Sequence, residues 1–404
     1  MRGFEKKTDL PSALETLRSL VEPLGEESVP LEAALGRTLA RDVVSHVDVP
    51  SFDKSAVDGY AVHAAETFGA SPTDPAFFRL TGEVLPGAGE EVEVGPGEAV
   101  RIMTGGVFPA GADAVLMVEH ASEEDGRVLA HAPVVPGRNV ARAGEDVREG
   151  QTVLTRGRVL RPQDIGVLAS IGVVDIPVSR RPVVGILSTG NELVEPRSPE
   201  AGGRGRVVNS CRHVLEGMVT ETGGAPRWLG ALPDDPAVLR GALRDFDGDV
   251  LLTTGATSAG KEDHLPGLLA EVGELRVHGV AMRPGSPTAF GRIGGALAFL
   301  LPGNPVAALV GFDVFVRPAL QLQLGQREGR RNARVRGRLR RKIASALNRT
   351  DFVRVRLADD GEVELLRVGG SGVLTSVTGA DGFIIVPRDD EGLEAGTDVE
   401  VFLY

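Results

Sequence analysis

A multidomain architecture, α/β plus β, is predicted by three features of the 404-residue sequence. Residues 182–325 alternate continuous apolar runs with amphipathic stretches, the pattern of a parallel sheet covered by helices. Residues 45–140, and the stretch from Asn332 onward, carry short β-rich runs separated by turn residues, as small β domains do. The length suits two to four domains of roughly 100–200 residues each. The 42 % apolar content is ample for several cores.

From the N-terminus, Leu10, Leu14, Leu17 and Val21 recur at helical spacing and predict an opening amphipathic helix, ended by Pro23 and Gly25. A second helix is expected after Pro30, running through Leu31, Leu35 and Leu39. Tyr60-Ala61-Val62, residues 77–80 and residues 114–118 read as strands, with Pro86-Gly87 and Pro96-Gly97 as turns. Residues 159–172 return to helix, with Pro162 near the first turn and Ile165, Leu168 and Ala169 on the apolar face. In the α/β region, strands are expected at 183–187, 228–232, 250–254 and 296–301, with a helix at 211–219. Asp235-Pro236 opens another helix, Asp235 as its N-cap. Toward the C-terminus, Val353, Val355 and Leu357 alternate as in a strand, and Asp381-Gly382 supplies a turn.

Composition narrows the function. A net charge of −12 disfavours a nucleic-acid or anionic-membrane partner. The eight arginines within residues 327–342 read as a solvated strand face and a linker, because no recognition helix accompanies them. Cys211 is the only cysteine, so no internal disulfide forms, and the chain suits a reducing, cytoplasmic compartment. The absence of a CxxC or HxH pair argues against structural zinc. The first residues lack the apolar core of a secretory signal. The longest apolar run, residues 306–316, is interrupted by Gly311 and Asp313 and is shorter than the roughly 20 residues that span a bilayer.

Ligands of an open α/β sheet bind at the carboxyl ends of its strands. Three such ends here pass from apolar residues through small ones to a polar side chain. They are Leu187-Ser188-Thr189-Gly190-Asn191-Glu192, residues 252–263 from Leu252 to Asp263, and Leu301-Pro302-Gly303-Asn304-Pro305. The second contains Gly255, Ser258, Gly260 and Lys261, a loop small enough to aim several N–H groups at an anion. The third opens a helix, whose N-terminus favours negative charge. A fourth end adds Asp234 and Asp235. Glu192, Asp234 and Asp263 meeting at one rim beside a phosphate cradle would repel one another unless a hard cation lay between them, so Mg²⁺ with oxygen ligands is expected.

These motifs in this order resemble the MoeA / gephyrin E-domain family of molybdopterin molybdenumtransferases. The resemblance rests on Thr253-Thr254-Gly255, Ser258, Gly260 and Asp263, on Arg283-Pro284-Gly285 and Pro287, and on Leu301-Pro302-Gly303-Asn304-Pro305-Val306. It continues through Ser55-Ala56-Val57-Asp58-Gly59-Tyr60-Ala61-Val62, Ile102-Met103-Thr104-Gly105, Gly144-Glu145-Asp146 and Gly370-Ser371-Gly372. It implies a discontinuous helical/linker domain (1–50 and 141–178), a β-rich insertion domain (51–140), an α/β molybdopterin-binding domain (179–328) and a C-terminal β-barrel (329–404).

The implied reaction inserts molybdate into adenylylated molybdopterin with Mg²⁺-dependent release of AMP, in a homodimer whose active site is shared between subunits. Glu192, Asp234 and Asp263 would hold the metal or position water. Gly255, Ser258, Gly260 and Lys261 would cradle phosphate, and Arg283 would bind an anion. Pro302, Gly303, Asn304, Pro305 and Ser371 would line the site, and Asp58, Thr104 and Asp146 would complete it from the partner chain. Without the resemblance, Asp58 reads as part of an Asp-Gly turn. The chain lacks two lysines of the family pattern, at Gly279 and Ser286, and Lys261 is the expected substitute for one. Transient contacts with the upstream adenylyltransferase and with cofactor-accepting enzymes are also implied. The competing readings are a pterin-binding scaffold or regulator, and the adenylyltransferase itself, whose activity does not need the domains flanking the α/β region.

Overall fold

The computed structural model describes residues 7–87, 92–255, 264–326, 333–366 and 372–404. The opening helix, Leu10–Leu20, is capped by Asp9, whose carboxylate accepts the Ser12 N–H at 3.0 Å. Its Ala13, Leu17 and Leu20 enter the core of the α/β sheet, beside Val184, Ile186 and Phe299.

Strand Glu26–Pro30 pairs antiparallel with Asp175–Ser179, and Val43–Val44 with Thr152–Leu154. These two distant stretches close around one core that includes Leu39, Leu154, Leu168 and Ile176. The helix expected after Pro30 is instead one 3-10 turn, Leu31–Ala33. Gly36 takes φ +74° and breaks the helical path. Beyond it, Thr38 and Leu39 bridge to Val159 and Val178 as extended chain.

The second helix of this unit, Pro162–Ser170, is fixed by Asp164. Arg158 holds the Asp164 carboxylate through two hydrogen bonds of 3.0 and 2.8 Å, and the Arg161 N–H adds a third at 2.9 Å. Burial alone would raise the Asp164 pKa, but Arg158 and Arg161 more than offset it and hold it at about 2.

The insertion forms a six-stranded sheet in the order Ala114–Met117, Gly59–Val62, Glu98–Ile102, Ala76–Val84, Arg127–Ala130, Ala121–Glu124. A separate apolar cluster covers each face. Gly59 is dictated by strand approach, since a Cβ there would lie 2.0 Å from the Leu116 carbonyl oxygen.

The α/β unit contains β1 (Val183–Thr189), α1 (Ser210–Glu221), β2 (Ala225–Leu232), α2 (Pro236–Arg244), β3 (Val250–Thr254), α3 (Leu265–Val272), β4 (Glu274–His278), β5 (Ala289–Ile293), β6 (Ala296–Leu301) and α4 (Pro305–Gln323). Its sheet order is β2-β1-β3-β6-β5-β4. The first four strands are parallel; β5 and β4 are antiparallel additions. The expected parallel sheet is thus a mixed one, because a two-glycine turn at Gly294-Gly295 folds β5 straight back against β6. By length and composition α4 would suffice to cross a membrane, which the interrupted apolar run did not suggest, yet it is 67 % buried inside this domain.

The C-terminal unit closes into a five-stranded barrel from Thr350–Leu357, Glu362–Leu365, Arg334–Leu339, Asp398–Leu403 and Gly382–Val386, the last pairing back to the first. A sixth strand, Met282–Arg283, comes from the α/β unit and pairs parallel with Thr350 and Asp351. The described arginines of the basic run are largely engaged. Arg334 pairs with Glu400 at 2.6 Å, and Arg340 sits among Asp360, Glu362 and Glu364.

Asp164→Ala is expected to lower unfolding stability by about 2 kcal/mol, from loss of a cap and of a mostly buried charge pair. The folded pKa is depressed, so the wild-type contribution is fully present above the ordinary Asp value near ~4 and is lost as pH falls through about 2. Urea melts of both proteins at pH 7 and across that acid window check it.

Candidate active site

The carboxyl ends of the four parallel strands converge on one rim. β1 ends at Thr189, whose hydroxyl donates to the Asp234 carboxylate beyond the end of β2. The Gly190 N–H donates to the Leu232 carbonyl at 3.2 Å, tying the same two ends through the backbone. Glu192 folds back over Gly190: an added Cβ at Gly190 would lie 2.8 Å from its carboxylate. The Glu192 carbonyl accepts the Val207 N–H at 2.9 Å, which anchors its backbone while its side chain stays exposed.

Gly255, directly after β3, has φ +94°, and a Cβ there would meet the Thr189 carbonyl oxygen at 2.3 Å. A Cβ on Gly303, after β6, would come within 3.4 Å of the Gly255 Cα. Three strand ends therefore approach backbone to backbone. Below them the Thr254 hydroxyl donates to Ser188 at 3.0 Å.

Cys211, in the first turn of α1, donates its thiol to the Gly303 carbonyl at 3.4 Å. Burial pushes its pKa up to about 11, so it is a structural thiol rather than a nucleophile. Asp235 caps α2 by accepting the Ala237 and Val238 N–H groups at 2.7 and 3.3 Å. That employs Asp235 in the fold and leaves Asp234 to the rim. Asn304 begins α4 without a side-chain cap bond, and its Oδ1 lies 3.7 Å from where a Cβ on Gly372 would sit. Asp263, Ser258, Gly260, Lys261 and Ser371 fall outside the described residues, so the carboxylate trio is placed only as far as Glu192 and Asp234. Among the described residues no three His, Cys, Asp or Glu side chains form a metal-sized cluster.

Beside the rim, a cavity of about 630 Å³ separates the α/β unit from the barrel. Arg283, Ser286, Pro302 and Asn304 line one wall; Lys342, Asp351 and Arg354 line the other. Asp351 is held by Arg349 at 2.8 Å, and Lys342 pairs with Glu394 at 2.5 Å. Arg354 is only 3 % exposed, and its Nε is buried without a partner. Burial and the nearby Arg283 guanidinium hold the Arg354 pKa below the usual range, with Tyr404 opposing. Neither Arg283 nor Arg354 has an ion-pair partner among the described residues. Arg283 is exposed and Arg354 buried, so the unmatched Arg354 Nε is the costly donor of this cavity.

Arg354 was missed in the sequence because it is embedded in Phe352-Val353-Arg354-Val355. The signal was there: Val353 and Val355 point into the barrel core, so the intervening residue faces the other way.

Asp58, Thr104 and Asp146 belong to the insertion and its base. The Asp58 carboxylate accepts both the Thr104 N–H at 2.7 Å and the Thr104 hydroxyl at 2.6 Å. The hydroxyl and then the amide hold the Asp58 pKa below the ordinary carboxylate value, so Asp58 is charged at neutral pH. Its loop is tied down on both sides: the Gly105 N–H donates to the Ser55 carbonyl at 2.8 Å, and the Ala56 N–H to the Asn139 carbonyl at 2.9 Å. Asp53, which the sequence reading passed over, accepts the Ala143 N–H at 2.8 Å and pairs with Arg142 at 2.5 Å, orienting the turn before Asp146. Asp58, Thr104 and Asp146 are all exposed. Among the described residues no hydrogen bond or ion pair joins them to Glu192 or Asp234.

Three family models cover most of the chain: the MoeA N-terminal region (domain I and II) at residues 8–172, a molybdopterin binding domain at 185–322, and the MoeA C-terminal region (domain IV) at 336–404. The molybdopterin molybdenumtransferase of Bacillus subtilis is 37 % identical over 99 % of this chain and 95 % of its own. That of Haemophilus influenzae is 32 % identical over 95 % of each chain. The crystal structure of a molybdopterin biosynthesis moeA protein from Pyrococcus horikoshii superposes with a TM-score of 0.86, at 34 % identity, over 99 % of this chain and 100 % of the other.

Gly255→Ala forces a Cβ onto the Thr189 carbonyl in a left-handed backbone. It is expected to cost about 2 kcal/mol or more and to reduce activity together with stability. Paired melts and assays check this. Cys211 is expected to resist alkylation by iodoacetamide at pH 8 in the folded chain and to react once denatured, as mass spectrometry would read.

Proposed function

Because the chain belongs to the MoeA family of molybdopterin molybdenumtransferases, enzymes of molybdenum cofactor biosynthesis, we propose that its reaction is molybdate insertion into adenylylated molybdopterin with Mg²⁺-dependent release of AMP. The observation that carries this reading is the cavity in which Arg283 and Arg354 lack counter-ions among the described residues, opening beside a rim with two carboxylates. A tetrahedral oxyanion supplies the acceptors that both guanidinium groups lack.

Glu192 and Asp234 offer hard oxygen donors on adjacent strand ends, the donor type Mg²⁺ requires, and Asp263 would join them. Bound there, Mg²⁺ would offset charge on the pyrophosphate linkage. Asp234 accepts the Thr189 hydroxyl through one oxygen, leaving the other to hold the metal or orient the attacking water. The loop that follows Gly255 and the N-terminus of α4 after Gly303 would aim main-chain N–H groups at a phosphate. Arg283, Arg354 and Asn304 would then keep molybdate within reach of the dithiolene as AMP leaves. Proximity of this kind can replace several kcal/mol of barrier.

The separation of Asp58, Thr104 and Asp146 from the rim supports an active site completed across a homodimer, with the insertion of one subunit facing the α/β rim of the other. In this reading the enzyme works in the cytoplasm, receives its substrate from the adenylyltransferase and passes the product to cofactor-accepting enzymes.

Purified protein mixed with adenylylated molybdopterin, Mg²⁺ and molybdate should release AMP. Tight pterin binding without AMP would favour a scaffold or regulator, and ATP consumption with plain molybdopterin would favour the adenylyltransferase. Arg354→Ala should raise the molybdate concentration for half-maximal rate about tenfold or more, the scale of lost charged hydrogen bonds. An unchanged molybdate dependence would remove Arg354 from the site. Asp58→Asn and Asp234→Asn, each nearly inactive alone, should recover about a quarter of wild-type activity when refolded together, because half the dimers would carry one intact site. No recovery would rule out the shared site.

A further inference from the structure

Between the end of β1 and the start of α1, residues 190–209 form an arm that leaves the rim and returns to it. At its base Leu193–Val194 pairs parallel with Val207–Val208. Beyond that pair the chain runs through tight turns: the N–H groups of Ser198, Ala201, Gly203 and Arg206 each donate to the carbonyl three residues back, at 2.9–3.1 Å. The arm is moored to α1. The Asn209 N–H donates to the Val194 carbonyl at 2.9 Å, and Arg212 holds Glu195 at 3.0 Å while its guanidinium lies 4.6 Å from the centre of the Trp228 ring.

These turns bring Arg206 back beside Asn191. Its Nη1 donates to the Asn191 carbonyl at 2.9 Å, and its Nε lies 2.7 Å from a Glu200 oxygen. The next residue, Val207, donates its N–H to the Glu192 carbonyl at 2.9 Å. Two consecutive carbonyls next to the rim are therefore held by two consecutive residues of the returning arm. The Arg206 side chain is 41 % exposed and that of Glu200 57 %, so their ion pair by itself contributes little. The bond to Asn191 has a different consequence. The Asn191–Glu192 peptide carries the Glu192 Cα, so its tilt decides whether the carboxylate folds over Gly190, as it does here.

We propose that Arg206 is a positioning residue: by fixing the Asn191 carbonyl it holds Glu192 in place for a divalent cation at the rim. This rests on the reading of Glu192 as a metal-holding carboxylate. A guanidinium suits the task because its planar fork engages a carbonyl and a carboxylate at once, which fixes the direction of both contacts. The positive charge of Arg206 works against a cation nearby. Losing that charge alone would tighten cation binding, whereas losing the hydrogen bond would weaken it. The sign of the change separates the two.

Mn²⁺ is the probe, its free fraction read by electron paramagnetic resonance in titrations of the full chain with AMP present. The Mg²⁺ dependence of AMP release is measured alongside. Arg206→Ala is expected to raise the Mn²⁺ dissociation constant and the half-activating Mg²⁺ concentration about fivefold each, the scale of one lost hydrogen bond. The molybdate concentration for half-maximal rate should stay unchanged. Arg206→Lys, which keeps a donor, should recover part of the loss, and Glu192→Gln should shift both cation measures at least as far as Arg206→Ala. If Glu192→Gln shifts them and Arg206→Ala does not, or if Arg206→Ala tightens Mn²⁺, the positioning role is overturned and the reading of Glu192 stands. If Glu192→Gln shifts neither, that reading falls and takes the inference with it. An equal shift in molybdate dependence would mean that Arg206→Ala loosens the whole site, which also overturns the role. Arg206→Met, similar in length but without a donor, repeats the test should Arg206→Ala fail to fold.

Discussion

The backbone contact among Thr189, Gly255 and Gly303 is the constraint on which the site depends. Parallel strands normally end with side chains fanning apart. Here two glycines let the ends of β1, β3 and β6 close to contact distance. The rim carboxylates are consequences of that closure: Asp234 is fixed because Thr189 is, and Glu192 folds over the next glycine. The same closure places the N-terminus of α4, and with it Asn304, on the wall of the cavity that Arg283 and Arg354 also line. A site built on strand ends holds its geometry better than one built on long loops, which suits chemistry that needs several anions held against one another.

Much of this was legible in the sequence, for specific reasons. Apolar runs at 183–187, 250–254 and 296–301 could only be buried strands, and the small residues after them marked the ligand-binding edge. Asp235-Pro236 announced a capped helix and proved to be one. What escaped was set by partners far away in the chain. β4 and β5 are short and mixed in character, and become strands because β6 offers an edge to pair with. Leu31, Leu35 and Leu39 have helical spacing, but Gly36 and the bridges to Val159 and Val178 outweigh it. Alternation set Arg354 apart from Val353 and Val355, but only the fold shows that its face meets a cavity against the α/β unit instead of solvent.

The charged groups divide into those that hold the fold and those that remain for chemistry. Asp164, Asp249 and Asp53 are each matched by an arginine and by backbone N–H groups. Their loss would be felt as instability. Among the described residues Arg283 and Arg354 have no such match, and the proposed anion binding draws on that asymmetry. Of the two lysines lacking from the family pattern, the one at Ser286 lines this same cavity, where a buried arginine from the barrel brings positive charge.

Strand Met282–Arg283 belongs by sequence to the α/β unit and by hydrogen bonding to the barrel. It acts as a rivet. The two units cannot swing apart like a clamshell without tearing main-chain bonds at Arg283 itself, which lines the cavity between them. In the proposed reaction, selection among oxyanions would then fall to size and charge rather than to a closing movement of these two units.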